Sequence, residues 1–289
     1  MRIVHVVDYL MPTMGYQEFM LPKWNVIQGH EVHVVTSDRY YPVVNYSQTW
    51  GKILGERVIG ESHSIIEGVI VHRLSSPFEF KARPWITNLS KVIKSIDPDI
   101  IMVHGTGSFS AYRSVKIAKS LKIPLLLDNH MIMDVVQRGI LQSIYYSLHS
   151  HILMKYITNY AFKIIGVTEE TCTYLELLER VPLKKIYLLP LCTDINIFNP
   201  QSLVQVREDQ PIQIVQSGKL NDDKKPQWLT SAVIELIKKG FNVQLTYVGN
   251  GDPEITGLIR NQFDKLGFSN HLHFNDIMSL PDLAHVFRS

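Results

Sequence analysis

The chain has 289 residues, of which 45% are hydrophobic and 19% charged, with a formal net charge of +2. That length suits two domains, and the composition excludes disordered and fibrous classes. The mild charge argues against nucleic acid, which asks for a concentrated Lys/Arg footprint, yet it is compatible with phosphorylated small molecules.

The first run, MRIVHVVDYLMP, lacks the basic region, longer core and cleavage site of a secretion signal and reads as a strand. Short apolar runs then alternate with helical stretches, the signature of βαβ units around a parallel sheet. Strands are predicted over 3–8, 31–36, 69–74, 100–104, 125–128, 164–167 and 185–189. Helices are predicted over 16–28, 84–95, 108–121 and 169–180, with a long one within 140–162. In the long one, Leu141, Ile144, Leu148, Ile152, Tyr156 and Tyr160 form one apolar stripe. Gln142, His149, His151, Lys155 and Asn159 interrupt that region, so it lacks the ~20 apolar residues of a membrane span. Cys172 and Cys192, far apart and outside any CxxC pattern, give neither a disulfide framework nor a zinc finger and fit a reducing cytoplasm.

Pro200 and the polar run QSLVQVREDQP break the pattern, which places a domain boundary there, with domains over 1–200 and 201–289. Strands over 212–216, 243–248 and 272–274 follow, with helices over 226–239, 253–266 and from 281. Three strands are few for a doubly wound half, so the second domain is expected to be incomplete by roughly a hundred residues.

Four places could hold chemistry. Gly15, in the loop Leu10 to Tyr16 after the first strand, allows close backbone approach to an anion, with Tyr16 opening a helix whose N–H groups are unpaired. A plain turn is the alternative. Lys219 and Lys224 lie in the loop Ser217-Gly218-Lys219 to Pro226, where they could face a phosphate at a helix N-terminus or merely be solvated beside Asp222 and Asp223. Gly249 and Gly251 flank Asn250 in a strand-to-helix turn that a ligand or the turn itself would require. His104 and His130 follow strand ends on the sheet edge that also bears Gly15, as ligand contacts or as hydrogen-bonded structural residues. His149 with His151 and His271 with His273 lack metal-site spacing or a third ligand. Hydrolase elbow, Walker loop and HExxH patterns are missing from the sequence.

Taken in order, GYQEF, QGHEVHVVTSD, PDIIMVHG, IPLLLDNH, IIGVTEET, LLPLCTDINIFNP, QSGKLNDDKKP and YVGNGDPE resemble the family-4 retaining glycosyltransferases of GT-B fold. The resemblance spans residues 1–289. It implies an α/β GT-B-like architecture with a complete N-terminal Rossmann-like domain on the acceptor side and an incomplete C-terminal one on the nucleotide-sugar side. In that family the two domains face each other. The resemblance puts Gly15 near the donor diphosphate, His130 on the transferred sugar, and Lys219 and Lys224 on the diphosphate. Gly218, Gly249 and Gly251 fall near the nucleotide, and Tyr16 and His104 on the acceptor side.

The implied reaction is hexosyl transfer from a nucleotide sugar to a glycan or lipid-linked acceptor, in surface-polysaccharide or glycolipid assembly. It needs no cofactor beyond the donor and no metal. The implied location is the cytoplasm, with peripheral contact at the inner membrane face where a lipid-linked acceptor would be met. This chain departs from the family in having Met14-Gly15 for Gly-Gly, Leu191-Cys192-Thr193-Asp194 for Asn-Gly-Val-Asp, and Pro22 inside the first helix. The family's pair of donor-contacting glutamates and its returning helix would fall beyond Ser289. The expectation is therefore a nucleotide-sugar-dependent glycosyltransferase or a shortened form of one, its activity as it stands left open, with a non-catalytic remnant that binds an acceptor or partner protein as the alternative. A GT-B epimerase ranks below both, because the acidic and histidine set for proton abstraction is missing from the relevant loops.

Overall fold

β-branched residues pack well on a pleated surface, and the chain opens on a run of them. In a computed structural model that describes residues 1–43, 45–132, 149–200 and 210–288, that run is strand β1, Arg2–Val7. Helix α1 follows at Gln17–Ile27 and β2 at Glu31–Ser37. After the short helix α2, Gly51–Leu54, come β3 (Ser62–Ile66), β4 (Val69–Leu74), α3 (Leu89–Ile96), β5 (Ile100–His104) and α4 (Phe109–Leu121). Then β6 (Leu125–Asn129), α5 (Met154–Tyr160), β7 (Lys163–Gly166), α6 (Glu169–Leu177) and β8 (Ile186–Leu188) complete one sheet of order β3-β4-β2-β1-β5-β6-β7-β8. Its pairs are parallel except β3 with β4.

The chain divides into two units, Met1–Val44 with Glu56–Thr193, and Asn45–Gly55 with Asp194–Ser289. The eight-stranded sheet belongs to the first. One core cluster there joins Val4, Val6, Ile101, Val103, Leu125 and Leu127 to Ile93, Val115 and Met154 on helices. A second sets Phe19 of α1 against Val32, Val34, Val69 and Val71. Helices therefore cover the sheet on both faces, which is why β1, β2, β5 and β6 read as continuous apolar runs.

In the second unit β9 (Ile212–Ser217), α7 (Pro226–Lys238), β10 (Val243–Val248), α8 (Pro253–Lys265), β11 (Leu272–Asn275) and α9 (Leu280–Arg288) follow in turn. The parallel sheet has the order β11-β10-β9. Val233, Leu245, Tyr247, Ile259 and Phe263 form its core. Asp252 caps α8 by accepting from the Glu254 N–H, which leaves Pro253 at the first helical position, where a missing N–H is harmless.

Three expectations are corrected. The helix predicted over 84–95 starts at Leu89, because the backbone before it is engaged otherwise: Trp85 N donates to Phe78 O and Thr87 N to Ser75 O. Strand β3 had no predicted counterpart; it pairs with β4 through the turn Glu67-Gly68, both at positive φ. The part of the predicted helix at 140–148 lies outside the described residues, and its continuation has π-type turns at His149–Leu153 and stops at Tyr160, short of Phe162.

Candidate functional site

Strand connectivity reverses at β1, which has β2 on one side and β5 on the other. Ligands of open α/β sheets bind outside the carboxyl ends of the strands at such a switch point. The residues at the ends of β1, β5 and β6 are therefore the first to weigh.

Asp128, in β6, is fully buried and faces His104 of β5 as its register partner. Gly105 N–H donates to its Oδ1 at 2.8 Å and the Gln17 amide to its Oδ2 at 3.1 Å. His104 Nδ1 lies 2.7 Å from Oδ2, and His130 Nε2 lies 3.6 Å from Oδ1. Burial by itself would raise this carboxyl, but the His104 and His130 rings overcome it and hold Asp128 well below the usual carboxylate range. In return the Asp128 carboxylate holds His130 above the ordinary imidazole value, against the opposing effect of burial.

His130 keeps 39% of its side chain exposed, whereas His104 keeps 2%. His104, expected on the acceptor side, therefore lies beneath the surface of this edge. Its ring is sealed between Asp128 and His5, whose Nδ1 lies 3.1 Å from His104 Nε2, so it supports the edge from within.

Gly15 has φ 70° and ends the 3-10 turn Pro12–Met14, a left-handed position that favours glycine. Tyr16, extended and 40% exposed, is the N-cap of α1. Through Gln17, the next residue, this loop is tied to Asp128. The structure thus brings Gly15, Tyr16, His104 and His130 to one edge.

Asp8, just past β1, joins them without having been singled out from the sequence. Its Oδ1 is sealed from solvent, and burial pushes the carboxyl up to about 7, with Ser110 and Arg83 offsetting part of that rise. An acidic residue at a strand end was the available signal for Asp8, which a glycine loop follows, and for Asp128.

The second unit presents a different construction. The loop after β9 and the loop after β10 run side by side: Gly218 N donates to Val248 O, Leu220 N to Asn250 O, and Asp252 N to Leu220 O. Gly249 has φ 130°, and a Cβ there would lie 2.3 Å from Gly218 O; at Gly251 it would lie 2.3 Å from Thr256 Cγ2. Gly249 is therefore required by packing between the loops, whereas Gly251 makes room for the Thr256 methyl of α8. Gly218, at φ 126°, has open space where its Cβ would be. Lys219 and Lys224 are exposed on the first of these loops, and Lys224 ends the 3-10 turn Asp222–Lys224 that leads into α7. Among the described residues no group of three or more His, Cys, Asp or Glu side chains is arranged to hold a metal ion. No described helix is long and apolar enough to cross a membrane.

The chain resembles the structure of Anabaena Alr3699/HepE in complex with UDP, with a TM-score of 0.65 and 13% identity over 98% of this chain and 71% of that one. It resembles a glycosyltransferase from Rickettsia africae, with a TM-score of 0.65 and 15% identity over 99% of this chain and 70% of that one. It also resembles the catalytic domain of starch synthase IV from Arabidopsis thaliana bound to ADP and acarbose, with a TM-score of 0.57 and 11% identity over 99% and 76%. These likenesses give the chain a GT-B-like α/β fold. No curated protein matches the sequence. The model of Glycosyltransferase Family 4 matches residues 26–196, more than half of the chain, and the chain belongs to that family.

Proposed function

We propose that this protein transfers a hexosyl group from a nucleotide-sugar donor to a hydroxyl of a glycan or lipid-linked acceptor. The bond from the anomeric carbon to the phosphate oxygen breaks with its electron pair going to the diphosphate, the acceptor oxygen bonds that carbon, and the hydroxyl proton passes to the departing nucleoside diphosphate. Charge grows on the diphosphate and oxocarbenium character on the sugar. Fixed cations and backbone donors aimed at the growing charge are the economical way to lower such a barrier.

The supporting observation is the switch-point edge, where a buried carboxylate holds an exposed imidazole beside a left-handed glycine turn. In this reading His130 contacts the transferred sugar, Gly15 lies near the donor diphosphate, and Tyr16 belongs to the acceptor side. Lys219 and Lys224 neutralise the diphosphate, and the loops bearing Gly218, Gly249 and Gly251 receive the nucleotide. UDP is bound in the Anabaena structure and ADP in the starch synthase, which makes these two the probes of choice.

Calorimetry with UDP and ADP on the chain, and on Lys219→Ala and Lys224→Ala, tests the proposal. Each substitution is expected to weaken binding tenfold or more, since a charge-assisted contact is worth about 1.5–3 kcal/mol. If neither nucleotide binds, the donor reading fails and the non-catalytic binding module takes its place; if both variants bind as tightly as the parent, the lysines are solvated loop residues and the remnant reading gains support.

A further inference from the structure

Asp128 does not end the polar network; it is its middle. Behind it, His104 Nε2 meets His5 Nδ1 at 3.1 Å, and His5 Nε2 meets the Asn25 amide nitrogen at 3.0 Å. The line therefore runs from α1 through β1, β5 and β6, and ends on the ring of His130. His5 and Asp128 keep no more than 1% of their surface exposed. Two imidazoles and a carboxylate in the middle of a sheet cost more than the valines and isoleucines around them would. A network of that kind is tolerable only when each member is satisfied, and it then admits very few arrangements.

The donor order follows from chemistry. Burial drives the His5 pKa well below the ordinary value, so its ring is neutral, with one donor and one acceptor nitrogen. The Asn25 amide donates to Nε2. Nδ1–H of His5 is then left to donate to His104 Nε2, and His104 Nδ1 lies 2.7 Å from the carboxylate. On the other side, Gly105 N–H and the Gln17 amide pin the carboxylate so that Oδ1 is turned to His130. A network serving the core alone would close on itself. This one opens at a half-exposed ring on the switch-point edge.

We propose that Asp128, held by the buried line His104–His5–Asn25, is the positioning residue of the transfer reaction: it fixes the His130 ring with Nε2–H turned inward and leaves Nδ1 as the nitrogen offered to substrate. The role of His130 toward the sugar rests on the function proposed above; the relay does not. Among the described residues, the charged groups bearing on this ring are Asp128 and, from α1, Glu18.

The test is a nuclear magnetic resonance titration of the His130 ring in the whole chain, reading its midpoint and its 15N tautomer signature. The wild-type ring is expected to titrate above 6.5 and, once neutral, to carry its proton on Nε2. Asp128→Asn is expected to lower the midpoint by about 1 pH unit or more, the usual effect of losing an adjacent opposite charge, and to abolish the tautomer preference. His104→Asn, whose amide can stand where Nδ1–H stood, is expected to keep that preference, and His104→Ala to lose it.

A neutral wild-type ring protonated on Nδ1, or a midpoint at or below 6.5, overturns the proposal even if no variant folds. So does an Asp128→Asn protein that is folded by circular dichroism with the His130 titration unmoved. A network that is only structural would lower the melting temperature and leave tautomer and midpoint alone. Failure of UDP and ADP to bind, with the titration as expected, would instead sink the donor reading and leave the relay standing.

Discussion

The two regions proposed to act in the reaction are built on opposite principles. At the edge of the eight-stranded sheet the chemistry is anchored from inside, by Asp128, His104 and His5, all buried. In the second unit the lysines stand exposed on a loop, and only the glycine backbone beneath them is fixed. Side chains held by a buried network are pre-organised, and losing one member disturbs the others. Exposed cations lose little when unliganded and acquire their value when an anion arrives. The comparison predicts which substitutions damage the protein and which damage only its binding.

The largest effect is expected where the second unit is least forgiving. At Gly249 a side chain must adopt φ 130° and would place its Cβ 2.3 Å from the Gly218 carbonyl. Gly249→Ala is therefore expected to destabilise by about 2–4 kcal/mol, with faster hydrogen exchange in β9 and β10. Retention of parental exchange there would mean that the two loops are not locked together and that the contrast between the regions is overdrawn.

Next comes His104→Ala in the first region. It leaves a buried carboxylate and the His5 ring each short of a partner, at a cost of about 1–3 kcal/mol, readable as a lower urea midpoint. An unchanged midpoint would show that the buried network does not anchor the edge.

That difference also explains how far the residues could be read in advance. The strands β1, β2 and β4 to β7 declare themselves by apolar runs, and Gly15 and His130 by following strand ends. β3 does not: Ser62, His63 and Ser64 are half polar, Ile65 is exposed, and Glu67-Gly68 is a less familiar hairpin turn than Asn-Gly. Asp128 was legible only as the end of a strand. Its role depends on register, which sets it opposite His104, and on the inward face of α1, which supplies Gln17 and Asn25. Neither register across non-sequential strands nor the rotation of a helix is written in local periodicity. His5 could have drawn notice as a polar residue inside an apolar strand.

A smaller effect, and one of opposite sign, is expected at Asp8. Its carboxyl, raised to about 7 in the fold against an ordinary value near 3.9, favours the folded state in its protonated form. That contribution is whole below about pH 4 and is lost as pH rises through 7. Asp8→Asn removes the ionisation and is expected to raise stability by about 1–2 kcal/mol at pH 8, with the gain shrinking toward pH 4. Urea midpoints at pH 8, 6 and 4 measure it. His5, depressed by burial, acts in the other direction: stability is lost as pH falls below about 6.5 and the unfolded chain takes up a proton. Parent and variant must therefore be compared at each pH. A gain that is constant with pH would assign the benefit to shape rather than to charge.

The smallest effect on stability is expected at Lys219 and Lys224. Both side chains are exposed, neither is part of the unit's core cluster, and each sits where the backbone is already held by Leu220 and Asn221. Removing such a side chain leaves no cavity and no buried group without a partner, so Lys219→Ala and Lys224→Ala should change the unfolding free energy by no more than about 0.5 kcal/mol. The same two variants are those expected to lose nucleoside diphosphate binding tenfold or more, so affinity and stability should separate here. At His104 they should not, because that ring supports what it stands behind. Measured together, unfolding midpoints and UDP affinities give each variant two coordinates: the lysines should fall along the affinity axis alone, and Gly249→Ala should move along the stability axis first. If Lys219→Ala instead unfolds as easily as Gly249→Ala, the lysine belongs to the frame of the loop, and the division between an anchored edge and a waiting one does not hold.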